Sequence, residues 1–258
     1  MKLYFKYFNI HFKSCMQYKV SFILSFLSQI FVFFTYYYTI LCLFNKFSNI
    51  KGYTMYEVLF TFSIIQFGSS FCDTFFRGLD QFDHLIIKGG FDKLLLRPRN
   101  ILLQIICEEI GFVKLSKVIQ SIIVLIIAII KIDVAWNISK IITVIFMLIS
   151  SVIIFFNTIL LAATYCFYTV KGLEVRNVFT CGCRDMAEYP IGIFKKGIIL
   201  FLTYVIPLGL VNYYPLLYIL GKTSNKLYMY SPLFSIIYLI PCILIFYKGL
   251  KKYSSTGS

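Results

Sequence analysis

The sequence predicts an all-α polytopic membrane protein with six transmembrane helices, and three observations carry that prediction. Of 258 residues, 59% are hydrophobic and 14% charged, at a mean hydropathy of +0.82; a soluble domain needs more polar surface, so the bilayer is the solvent. Six stretches are long and apolar enough to cross about 30 Å of hydrocarbon: 20–44, 55–76, 115–136, 141–168, 198–220 and 232–250. The basic residues fall between these stretches and lie unevenly about them. The net charge of +14 would suit nucleic acid in a soluble chain; here the orientation rule for membrane helices accounts for it, and no nucleic-acid partner is expected.

The first span is preceded by MKLYFKYFNIHFKSCMQYK, in which Leu3, Phe5, Tyr7, Phe8 and Phe12 interleave with Lys2, Lys6, Lys13 and Lys19. That mixture reads as an interfacial helix over 1–19, or as a basic flank that only orients the first span. The apolar run from Val20 to Phe44 is too long for a cleavable signal. Segments 1–19, 77–117, 171–196 and 248–252 hold nineteen of the twenty-five Lys and Arg, the other connections six. This bias puts both termini in the cytoplasm of a cell membrane. Tyr36, Tyr37, Tyr38, Tyr53, Trp136, Tyr213, Tyr214, Tyr228 and Tyr230 then form an aromatic belt at the outer interface. With short outer connections and no repeat, the chain reads as a single transmembrane domain over 1–258.

Between the second and third spans, residues 77–100 read RGLDQFDHLIIKGGFDKLLLRPRN. Leu79, Phe82, Leu85 and Ile86 recur at helical spacing; after Gly89-Gly90 the pattern restarts with Phe91, Leu94 and Leu95, and Arg97-Pro98 closes it. These are two short amphipathic helices with a hinge. Their apolar ridge suits lipid headgroups or the groove of a soluble partner, and periodicity does not choose between them.

On the second span Ser63, Gln66, Ser70, Asp73 and Arg77 fall within about 80° of one another, so the stripe faces protein or a water-filled path. Asp73 and Arg77, four apart, are expected to pair. The fourth span spaces Thr143, Ser150, Asn157 and Thr164 by seven, and the first carries Ser21, Ser25, Ser28, Thr35 and Thr39. Helix packing explains such hydroxyls as readily as a pathway does. Glu108-Glu109 reads as a solvated start to the third helix, with proton carriage or partner contact as the sharper alternatives. Pro207 and Pro215 interrupt the fifth span, as a simple kink or as irregular backbone covered by protein.

Other chemistry finds little support. Cys181-Gly-Cys183 lacks the spacing of a zinc site, and most of the eight cysteines lie in apolar runs. Gly221-Lys222-Thr223 has Leu216 where a phosphate loop needs glycine. His11 and His84 gather no catalytic or metal constellation, so no enzyme and no metal site is expected.

Taken together, the helix preceding the first span, the six spans, GGFDKLLLRPRN, YP…FLTYVIPLGLVNYYPLLYILG and the terminal YSSTGS resemble the ABC-2-type permeases, the last phrase one branch of them. That resemblance implies the permease subunit of an ATP-binding-cassette exporter. A second permease, identical or related, would pair with it, and separate ATPase subunits would hold the ATP and Mg. The cargo would be a drug, an antimicrobial peptide or a lipid. Leu79, Phe82, Leu85, Ile86, Phe91, Leu94, Leu95 and Arg97 would form the coupling helix in the ATPase groove. Ser63, Gln66, Ser70 and Asn157 would line the pathway, Asp73–Arg77 would clasp the two regions, and short re-entrant helices would follow the fifth span at Pro207 and Pro215. An ion-gradient-driven carrier using Asp73 and Glu109, and a non-transporting scaffold or immunity protein, are the rival readings.

Overall fold

A computed structural model describes residues 2–47, 49–169, 181–223 and 225–253, with side chains from residue 4 onward. The terminal motif at 254–258 and the basic residues Lys171 and Arg176 lie outside these residues. The described chain is helical, its one β-bridge joining Ile50 to Tyr53, as expected for an all-α polytopic membrane protein.

Helix α1 (Lys2–Gln17) lies against the bundle through one face only. Tyr4 donates to the Phe75 carbonyl at 3.1 Å, His11 meets the Cys107 carbonyl at 3.2 Å, and Phe8 and Phe12 set their edges on Phe112. Phe5 and Ile10 stay exposed. The remaining face suits the headgroup region, where an amphipathic helix keeps lysines wet and rings greasy.

Helices α2 (Lys19–Lys46), α3 (Met55–Phe75), α8 (Leu115–Lys131, together with the 3₁₀ turn Phe112–Lys114 before it) and α9 (Ile138–Tyr165) are long enough to cross. Their enclosure differs sharply. The apolar window of α2 is 6% buried while that of α3 is 78% buried, because α8 and α9 flank α3 on both sides. At the α3–α9 crossing, a Cβ on Gly68 would come within 2.6 Å of the Ser151 hydroxyl, so glycine permits the close approach. A capping box starts α3: the Thr54 amide donates to Glu57 at 2.9 Å. The last crossing runs from Leu227 to Leu250 as α14 (Leu227–Phe234), a 3₁₀ turn and α15 (Leu239–Leu250). Ser150 of α9 donates to the Pro232 carbonyl at 2.8 Å there.

Where Pro207 and Pro215 were expected to interrupt the span over 198–220, the chain makes two helical arms at 97°. The first arm is α11 (Lys196–Tyr204); the second is α12 (Leu208–Asn212) followed by α13 (Tyr214–Ile219). Pro207 precedes α12 at the bend, and Pro215 sits in the first turn of α13, where its missing N–H costs little. Both feet of the bent pair stand on the α2–α3 turn. Lys51 donates to the Ile193 carbonyl at 2.7 Å, and Lys222 donates to the Gly52 carbonyl at 3.1 Å with its ammonium 4.1 Å from the Tyr53 ring centroid. Residues 194–221 therefore leave and return at one end of the bundle. The physical reason is that VIP and YYP break the helix twice, leaving no continuous run of about 20 residues. Lys195 and Lys196 consequently stand at the end holding Lys51, opposite to the side the charge count gave them.

Lys51→Cys and Lys195→Cys, on a background cleared of native thiols, should react with a membrane-impermeant maleimide from the same side. Labelling from opposite sides would restore the straight span.

Candidate functional site

Between α3 and α8 the chain folds back as an elbow of four short helices: α4 (Arg77–Asp80), α5 (Phe82–Ile87), α6 (Gly90–Leu95) and α7 (Ile101–Glu108). Gly89, at φ +65°, supplies the left-handed residue that turns α5 into α6. A Cβ on Gly78 would overlap the Ile105 carbonyl oxygen, so α4 and α7 touch backbone to backbone. Asn100 caps α7 by accepting from the Leu103 amide at 3.1 Å.

The ridge read as a docking surface turns inward. Leu79, Phe82, Ile86, Phe91 and Leu94 are each at most 2% exposed, and Leu85 is half-buried. Phe82 stands edge-on to Phe91 at 5.0 Å and to Phe167 at 5.2 Å; Phe91 meets Tyr253 at 4.9 Å, and Phe167 meets Phe246 at 5.5 Å. Tyr253 also donates to Asp92 at 3.1 Å, and burial together with that carboxylate raises its pKa, keeping the proton on the phenol. The elbow is thus bolted to the ends of α9 and α15. Its own core supplies the apolar partner that the periodicity demanded.

The surface left outside is carried by other residues. His84, Ile87, Lys88, Lys93, Leu95, Leu96, Arg97 and Arg99 are exposed, Leu96 at 86%. Beside them His84, Lys88, Lys93, Glu108 and Glu109 border a hollow of about 570 Å³. Of the residues assigned to docking from sequence, Leu95 and Arg97 lie on this surface. Ile87 and Leu96, which the sequence did not single out within this stretch, are exposed there as well.

The expected clasp takes a different partner. Helix α3 stops at Phe75, and Phe76 adopts φ −119° and ψ 22°, so Arg77 opens a new helix and does not sit one turn beyond Asp73. Arg77 Nε donates instead to Glu109 Oε1 at 2.6 Å. Glu109 is brought there by extended backbone and by Gly111, whose amide donates to the Thr74 carbonyl at 2.9 Å. The side chains are 28% and 43% exposed, so the pair contributes at most about 1 kcal/mol.

The polar stripe of α3 faces protein rather than an open path. Ser63 returns its proton to the Phe60 carbonyl and Ser70 to the Gln66 carbonyl, both within the helix. Gln66 donates to Glu188 Oε1 at 2.7 Å, and Thr61 donates to the Glu188 carbonyl at 3.2 Å. Arg184 lies 3.8 Å from the same carboxylate, one turn back along α10 (Cys183–Ala187), and Asn212 donates to the Ala187 carbonyl at 2.7 Å. Gln66, Glu188 and Asn212 are each at most 5% exposed. Glu188 falls in the 171–196 connection, where the Arg184/Glu188 spacing of four in CRDMAE was the available signal. Cys183 is buried in this stretch, and Cys181 half-buried. Asn157 joins neither group: it lines a separate cavity beside the Pro207 bend.

A family model described as ABC-2 family transporter protein matches residues 15–257. No curated protein and no solved structure matches the chain.

Phe91→Ala should lower the unfolding midpoint of the purified chain in detergent, at a cost of about 3 kcal/mol from lost burial and the cavity left behind. Leu96→Asp should leave the midpoint within about 0.5 kcal/mol of the parent, as surface changes do. Equal losses for the two would contradict the inward-facing ridge.

Proposed function

Starting from the fact that this chain belongs to the ABC-2 family of transporter membrane proteins, a permease subunit of an ABC transporter, we propose that it serves as the membrane half of an exporter. Separate ATPase subunits bind ATP and Mg beneath the 77–100 elbow. The observation that carries this reading is the elbow itself: a rigid knot, exposed on one side and fused to two crossings on the other. The docking rim is Ile87, Leu95 and Leu96 ringed by Lys88, Lys93, Arg97 and Arg99, an apolar centre with a cationic border that suits a groove with acidic edges. Closure of the ATPases presses on this rim, and the aromatic bolt delivers the displacement to α9 and α15.

A second permease, identical or related, completes the pathway. Because α3 is enclosed and its hydroxyls are spent internally, the route runs between subunits, with α2 the most open of the long helices toward that partner or toward lipid. Cargo is hydrophobic or amphiphilic: a drug, an antimicrobial peptide or a lipid. The chain sits in the bacterial plasma membrane with both termini cytoplasmic, and the 196–219 pair reaches in from the far side. The gradient-driven alternative is weakened because Glu109, one of its two acids, is held by Arg77.

In a detergent pull-down from the native host, an ATP-binding subunit should co-purify with the tagged chain. Leu96→Asp combined with Arg97→Glu should reduce recovery at least tenfold while leaving the midpoint of the chain unchanged. Undiminished recovery would place the ATPase elsewhere, and gradient-dependent flux that persists without any ATPase would remove the exporter reading.

A further inference from the structure

A second, smaller hollow of about 240 Å³ lies where α1 meets the turn at the end of the elbow, bordered by Tyr7, Arg97, Arg99 and Gln104. The turn is held from several directions. Gln104, 4% exposed, donates through Nε2 to the Leu94 carbonyl at 3.4 Å and to the Arg99 carbonyl at 3.1 Å. Asn100, besides capping α7, donates to the Tyr247 hydroxyl of α15 at 3.1 Å, and Pro98 fixes a backbone torsion between the two arginines. Arg97 reaches across to α1, its Nη1 donating to the Tyr7 hydroxyl at 3.3 Å. Both arginines are exposed. Neither guanidinium meets a carboxylate among the described residues, and none of the residues bordering the hollow is acidic.

Two unneutralised guanidinium groups around one opening repel each other, and an anion between them relieves that repulsion. The planar fork of N–H donors matches the paired oxygens of a phosphate, and Arg97 spends only one of its donors on Tyr7. Helix α1 sets the depth of the opening. It exposes Phe5 and Ile10 beside Lys6 and Lys13, the surface of a helix lying among lipid headgroups. At that depth the abundant anion is a phospholipid phosphate, and basic pockets there suit acidic heads. We propose that this hollow binds the phosphate of an acidic phospholipid from the leaflet in which α1 lies, held by Arg97 and Arg99 with the Tyr7 hydroxyl beside them. A zwitterionic head brings its own ammonium, which two guanidinium groups repel. Because Tyr7 belongs to α1 and the arginines to the elbow, the bound head joins the interfacial helix to the elbow. The edge of the elbow nearest α1 is then given to lipid, and Ile87, Lys88, Lys93 and Leu96 remain for a soluble partner.

The site is tested on the purified full chain without any ATPase, so the outcome does not depend on the exporter reading. The chain is placed in nanodiscs of dioleoyl phosphatidylglycerol and dioleoyl phosphatidylcholine in equal parts, and the lipid it retains is read by native mass spectrometry. Phosphatidylglycerol should be retained about tenfold more than phosphatidylcholine, the worth of a charge-assisted contact. Arg97→Gln combined with Arg99→Gln should erase that preference, and Tyr7→Phe should lower it by less. Lys88→Gln combined with Lys93→Gln removes the same charge from the border of the larger hollow and should leave the preference intact. Retained folding of each variant is checked by gel filtration and thermal midpoint. The bound lipid should also withstand millimolar inorganic phosphate. Equal retention of the two lipids by the parent would overturn the proposal, as would equal losses in the two double variants, which mean diffuse attraction to any basic surface. Displacement by inorganic phosphate would replace the lipid with a free anion. An unchanged lipid preference in an Arg97/Arg99 double variant that instead loses the ATP-binding subunit would assign both arginines to the soluble partner and sink the lipid site.

Discussion

The packing of Phe82 and Phe91 against Phe167, Phe246 and Tyr253 is the contact on which the rest of the molecule depends. These rings come from the elbow, the end of α9, α15 and the segment after it, so one aromatic knot gathers chain ends that are distant in sequence. Close-packed rings transmit displacement because they leave no slack to absorb it. Without the knot, the four short helices of the elbow would be too brief to persist, since isolated helices of six or eight residues are unstable in water. With it, the elbow becomes an extension of two membrane-crossing helices.

A second constraint acts in the bilayer, where every backbone and polar side-chain group needs a partner within the protein. Most hydroxyls on α3 and α9 meet it locally by bonding to the carbonyl three or four residues back, as in Ser63, Ser151 and Thr164. Gln66 and Glu188 meet it across elements, which pins the stretch after α10 to the middle of α3. The bent pair is tied at its feet by Lys51 and Lys222, whose ammonium groups find carbonyls. Asn157, Gln120 Nε2 on α8 and Asn212 Oδ1 in the bent pair are exceptions to this accounting.

Membership in the transporter family and the architecture of the bundle have a simple relation. An enclosed α3, an exposed α2 and a bolted elbow describe a subunit with a packed interior and an open apolar surface. Apolar surface exposed toward lipid carries no penalty, so the 6% burial of the α2 window is compatible both with a lipid-facing helix and with one that meets a partner.

Apolar run length, basic-residue bias and helical period were legible in the sequence alone, because they depend on local composition against a solvent of fixed thickness. They gave the helical membrane class, with its five to six candidate crossings, and the two short helices hinged at Gly89. Which face meets which partner was decided by the tertiary structure. Periodicity marked Phe82 and Phe91 as apolar but could not tell a partner's groove from the chain's own core. Spacing allowed Asp73 to reach Arg77, yet a helix break at Phe76 delivered Arg77 to Glu109. Pro207 and Pro215 marked the breaks within 198–220, but only the contacts of Lys51 and Lys222 show where the two arms meet the rest of the chain. Each of these outcomes rests on contacts between residues far apart in the chain, and a local pattern holds no record of distance in space.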